Sequence, residues 1–159
     1  MNHFQIIPEC HADTLLVEVL GFERPNHQRG IGSVLSIFEQ QFKNRPAVGI
    51  IDDDKKKPGL FDLFEEIENH LDIRKLTNPE SKHFLLVICP AFEVWIFNNA
   101  HSVNVDPAKY GFTSQRKFQT VCKSIYANHN QQLRQFLNTL KQKRAPGFEL
   151  LREWIADSL

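Results

Sequence analysis

The chain has 159 residues, enough for one domain with a real core and too few for two of full size. Hydrophobic residues at 42% and charged residues at 24% are globular values, which exclude a disordered or collagen-like chain. Nineteen basic and nineteen acidic side chains give zero net charge, which at first sight argues against a polyanion partner.

Phe4 to Ile7 is a short apolar run closed by Pro8 and predicts a buried strand. Ala12, Leu15, Leu16, Val19 and Leu20 then recur at helical spacing up to Gly21, although Leu15-Leu16-Val17 alone also suits a strand. Residues 22–30 form a polar loop. Ile31, Val34, Leu35, Phe38 and Phe42 mark a second helix running to about Lys43, and Ala47 to Ile51 a second buried strand. The charged stretch from Asp52 to Lys57 stops at Pro58-Gly59. Leu60, Leu63, Phe64, Ile67 and Leu71 predict a third helix. His83 to Ile88, closed by Cys89-Pro90, is the clearest strand, and a helical pattern resumes from Ala91 to Phe97. Residues 100–113 read as a loop.

Two amphipathic helices follow, one on Phe118, Val121, Cys122 and Ile125, the other on Leu133, Phe136, Leu137 and Leu140. They join near Asn128-His129-Asn130 and end at Pro146-Gly147, after which Phe148, Leu151, Trp154 and Ile155 pack a last short helix. This alternation predicts an α/β fold, a three-layer domain with a mainly parallel sheet over residues 1–106. Residues 107–159 form a basic helical C-terminal extension packed on the same domain.

The charges divide unevenly. Acids exceed bases by six in residues 1–106, whereas residues 107–148 hold eight Lys/Arg and no carboxylate, and residues 149–159 carry two excess acids. Such a basic block is either a solvated pair of helix faces or a surface for nucleic acid, with Arg116, Lys117, Lys123 and Arg134 as its candidate contacts. Cys10, Cys89 and Cys122 are widely spaced, which indicates neither a disulfide framework nor a zinc ribbon and fits a reducing cytoplasm. No signal-peptide pattern opens the chain, and no apolar run reaches about 18 residues, so no membrane association is expected.

In open parallel sheets, functional groups gather beyond the carboxyl ends of the strands. Glu9 follows the first predicted strand, Asp52 and Asp54 follow the second, and Glu93 lies just past the third. Asp13, four residues after Glu9, falls one helical turn further on and can face the same crevice. Clustered carboxylates repel unless a cation neutralises them, and hard oxygen ligands select Mg²⁺ or Mn²⁺, an ion suited to phosphodiester cleavage. A run of three Asp and three Lys after a strand is also compatible with a plain solvated loop.

Glu9-Cys10-His11-Ala12-Asp13 after one apolar strand, with Asp52-Asp53-Asp54 after another, resembles the TOPRIM family of topoisomerases, bacterial primases, recombination proteins and OLD-family nucleases. The resemblance covers residues 4 to about 99 and implies a TOPRIM/Rossmann-like sheet. It also implies a Mg²⁺ or Mn²⁺ site in which Glu9 supplies the strand-terminal Glu and Asp52 and Asp54 the Asp-x-Asp pair. Pro90-Ala91-Phe92-Glu93-Val94-Trp95 is similar to a segment of small TOPRIM-like proteins of bacterial defence and mobile-element loci, which makes Glu93 a further candidate in the catalytic set. Cys10 stands where the family usually has Gly.

Lys55, Lys56 and Lys57 are placed to hold a substrate phosphate beside such a site, and solubility explains them equally well. Arg29-Gly30-Ile31-Gly32-Ser33 opens a helix but lacks the Gly-Lys-Ser/Thr of a phosphate-binding loop. His11, His27 and His83 are candidate proton carriers, though His residues without ligand spacing are more often structural. Trp95, Trp154 and the phenylalanines fit the core. Phe118 and Tyr126 could stack on bases, but their spacing fits burial better. Two functional readings emerge: a metal-dependent nuclease-like TOPRIM domain, or a non-catalytic α/β module that recognises a protein or nucleic-acid partner.

Overall fold

The computed structural model describes residues 2–53 and 56–159. Strand β1 (Ile6–Pro8) leads into helix α1 (His11–Val19), helix α2 (Ile31–Gln41) and strand β2 (Ala47–Asp52). A 3₁₀ turn (Gly59–Leu63) precedes the hairpin of β3 (Glu65–His70) and β4 (Ile73–Thr77), followed by β5 (His83–Ile88) and helix α3 (Phe92–Ser102). The remainder is helical: α4 (Gln115–Cys122), α5 (Gln131–Gln142) and α6 (Pro146–Asp157), with 3₁₀ turns at Pro107–Tyr110 and Ala127–His129.

The strands form one five-stranded sheet in the order β1-β2-β5-β4-β3. The expected α/β class is correct, but the sheet is mixed rather than mainly parallel. β1, β2 and β5 run parallel, whereas β4 and β3 are antiparallel to their neighbours. The difference comes from residues 60–71, which are not the predicted helix. The apolar spacing of Leu60, Leu63, Phe64, Ile67 and Leu71 mimics a helical stripe, yet Leu60, Leu63, Ile67 and Leu71 are exposed and cover no core. The chain reverses at Leu71 and Asp72, both with positive φ, and β3 is held at the sheet edge by pairing with β4.

Alternation along the strands supplies two cores. Ile6, Val48, Ile50, Leu86 and Ile88 face α1 and α3 to α6, while Ile7, Ala47, Ile51, Leu85 and Val87 face α2. Seven of the nine residues of α1 are buried, because the helix lies between the sheet and the C-terminal helices. The predicted loop at 100–113 is shorter, since α3 continues to Ser102 and a 3₁₀ turn follows. Pro146-Gly147 separates the last two helices as expected, since α5 ends at Gln142 and α6 starts at Pro146. Pro146 opens α6, where its missing N–H is no loss, and the Gly147 amide donates to Asn99 Oδ1 at 2.9 Å.

Aromatic packing fixes α4 against α3 and α5. Phe118 on α4 is fully buried and meets Phe97, Phe112 and Phe136 at centroid distances of 5.0, 4.8 and 5.7 Å. Trp95 and Trp154 are core residues as expected, at 1% and 5% exposure, whereas Phe4 is half exposed. Phe118→Ala should destabilise the domain by about 3–5 kcal/mol, read as a lowered urea midpoint. A loss under about 1 kcal/mol would show that this cluster does not anchor α4.

Candidate metal centre

Parallel pairing in register brings the ends of β1 and β2 side by side, with Pro8 opposite Ile50. Glu9 follows directly and its amide donates to Ile50 O at 3.0 Å, continuing the ladder by one step. Its side chain turns back into the protein, where Oε1 accepts the Asp52 N–H at 2.8 Å. Asp52 is the last residue of β2, and Asp13 lies in the first turn of α1.

These three acids are buried, at 1% exposure for Glu9, 0% for Asp13 and 6% for Asp52, and each offers an oxygen within 4.8 Å of the others. A buried acidic cluster at this spacing can hold a metal ion. Three of the four expected ligands, Glu9, Asp13 and Asp52, are thus brought together. Asp54 and Lys55 lie outside the described residues.

Cys10 builds the entry to α1. It is the N-cap, its Sγ accepting the Asp13 amide at 3.4 Å and donating to Asp13 Oδ2 at 3.1 Å. Burial first, then the Asp13 carboxylate, pushes its thiol well above the usual range, so it is a hydrogen-bond donor and no nucleophile at neutral pH. Burial, then Glu93, likewise raises Cys122.

A cavity of about 230 Å³ adjoins the cluster, lined by Cys10, His11, Asp52, Glu93, Cys122 and Lys123 among others. Glu93, in the first turn of α3, stands outside the triad, and its Oε1 accepts from Gln119 Nε2 at 2.6 Å. Lys123 is exposed at the rim of the same cavity. Arg116 and Lys117 are exposed at the start of α4, Lys56 is exposed beside the N-terminus of α2, and Lys57 bonds Asp53. Arg134 is engaged elsewhere, donating to Glu18 Oε2 at 3.1 Å and to Asn128 O.

Sequence reasoning missed a histidine pair beside the triad. His11 and His27 stack at 4.1 Å, and each has one buried ring nitrogen, Nδ1 of His11 and Nε2 of His27, without a hydrogen-bond partner among the described residues. Thr14 Oγ1 spends its proton on Cys10 O at 2.8 Å, so the 2.9 Å contact with His27 Nδ1 requires that nitrogen to be the donor. The neutral ring then keeps its lone pair on Nε2. No residue spacing signals this contact, because His27 arrives from the long loop between α1 and α2. His83, by contrast, is structural: its Nε2 meets Phe42 O at 2.9 Å and its ring stacks on Phe38.

No protein-family model, curated protein or solved structure matches this chain.

Burial, then the neighbouring His11, lowers the pKa of His27 from its ordinary value of 6.5. The unfolded chain therefore takes up this proton more readily, and the stability His27 contributes is lost as pH falls below about 6.5. Denaturation between pH 7.5 and 5 should show wild type losing its advantage over His27→Gln on acidification. A difference that stays constant would refute the burial argument.

Proposed function

We propose that this chain is a TOPRIM-like, Mg²⁺- or Mn²⁺-dependent nuclease-like domain acting on nucleic-acid phosphodiesters, with Glu9, Asp13 and Asp52 holding the ion. The observation that carries the reading is the convergence of three buried carboxylates at the ends of two neighbouring parallel strands. Like charges at 4.8 Å repel by about 3 kcal/mol per ionised pair at an effective dielectric constant near 20. The same geometry attracts a divalent cation.

The donor set fits a hard ion. In octahedral Mg²⁺ coordination at about 2.1 Å, adjacent ligand oxygens lie about 3.0 Å apart and opposite ones about 4.2 Å, so the three oxygens, which lie within 4.8 Å of one another, would draw together around an ion. When bound, such an ion polarises a phosphate oxygen and lowers the pKa of a coordinated water. The protein's own groups do the positioning: the Asp52 amide orients Glu9, Cys10 orients Asp13, and Lys123 supplies positive charge where a phosphate would enter. Glu93, held by Gln119, lies on the same cavity as a carboxylate able to accept a proton.

A second reading, a non-catalytic α/β binding module, is favoured by the same hydrogen bonds. The Glu9 bond to the β2 end and the Asp13 bond to the α1 cap are structural contacts in their own right.

Calorimetry with Mg²⁺ and Mn²⁺ separates the two. Wild type should bind at millimolar metal or below, and Asp13→Asn and Asp52→Asn should each weaken binding at least tenfold, because one ligand charge is lost. Cleavage of DNA and RNA, single- and double-stranded, should require the metal and fail in both variants. No binding at millimolar metal overturns the nuclease reading, and binding without cleavage favours the module.

A further inference from the structure

We infer that the loop Lys123–Tyr126 is a docking surface for single-stranded nucleic acid, with an unpaired base stacked on Tyr126 beside Ile125 and the adjoining phosphate held by Lys123. The inference rests on reading the neighbouring cavity as a phosphodiester site, and it names the form of substrate that cavity takes.

Tyr126 does not follow the expectation of burial. It is 69% exposed and Ile125 62%, whereas Phe118, on the same amphipathic pattern, is at 0%. This pair is not presented by a frayed segment. The Lys123 amide bonds Gln119 O, the Ser124 amide bonds Val121 O, the Tyr126 amide bonds Ser124 Oγ at 3.1 Å, and the Ala127 amide returns to Ser124 O. An ordered loop that holds an aromatic ring and an aliphatic side chain in water offers an apolar face ready for a flat ligand.

The same loop reaches the acidic site, since Lys123 and Ser124 line the cavity that contains Asp52 and Glu93. Charge identifies the occupant. Arg116 and Lys117 precede Lys123 on α4 by about two helical turns, ~10 Å along the axis, and none of the three forms an ion pair with the described residues. Residues 107–148 themselves carry no carboxylate, and the acids on this side, Asp52 and Glu93, lie within the cavity rather than on the helix that presents the cations. A cationic row leading to an exposed ring suits a backbone whose bases are free to stack, whereas a duplex hides its base faces and would use the cations alone.

Binding of a fluorescent oligothymidylate, an oligouridylate and a DNA duplex, followed by anisotropy in EDTA, tests this without any metal. Tyr126→Ala should weaken binding of one or both single strands by about tenfold and leave duplex binding unchanged, while Tyr126→Phe should stay near wild type. Lys123→Ala should flatten the single-strand salt dependence by about 0.7 in log–log slope. Equal loss on duplex, no loss in Tyr126→Ala, a Tyr126→Phe variant as weak as Tyr126→Ala, or no oligonucleotide binding at low salt would each overturn the inference. Failure of metal binding in calorimetry would strike the nuclease reading and leave this result standing, because no ion takes part in the measurement.

Discussion

The hydrogen bond from the Asp52 amide to the buried Glu9 carboxylate is the constraint on which the functional end of this molecule depends. It crosses 43 residues of sequence and locks the end of β1 to the end of β2. A carboxylate removed from water demands such donors, since its desolvation otherwise costs several kcal/mol. Once Glu9 is fixed, the direction in which the chain enters α1 is fixed as well, and Asp13 is carried to the same place. The loop before α2 is drawn in through three backbone bonds, Asn26 to Ile6 O, Gln28 to Pro8 O and Gly30 to Glu9 O.

The second organising force is aromatic. Phe118 and its neighbours seat α4 against α3 and α5, and the C-terminal end of α4 therefore falls at the rim of the acidic cavity. A charge asymmetry spread along the sequence becomes a juxtaposition in space, with Lys123 on the same cavity as Asp52 and Glu93. The basic block is not wholly available to a ligand, however. Arg134 returns to Glu18 on α1 and fastens the extension to the body, while Arg144 pairs with Glu149 on α6 within the extension itself.

Elements with two-sided burial were the legible ones. β2 and β5 are continuous apolar runs, and the sequence reading of β5 matches residue for residue. The β3–β4 hairpin escaped because β3 is exposed along its whole length and carries Glu65, Glu66, Glu68, Asn69 and His70, residues with no strand preference. Its turn uses Leu71 and Asp72 in left-handed conformations rather than an Asn-Gly pair, so the usual signal was missing. In the site, Glu9, Asp13 and Asp52 could be found because strand ends and one helical turn are readable from spacing. The His11–His27 stack and the Gln119–Glu93 bond join distant segments, and only the packed fold brings them together.

The exposed β3 edge has a further consequence. Its outer backbone groups are a template for another strand. A second copy added in parallel register would set Glu65, Glu66 and Glu68 each against itself, an unfavourable seam, whereas full antiparallel overlap would oppose Glu65 to His70 and Glu66 to Asn69. Glu66 and Glu68 are moreover paired with Arg74 and Lys75 of the neighbouring strand, so the charge of this edge selects the direction of an incoming strand.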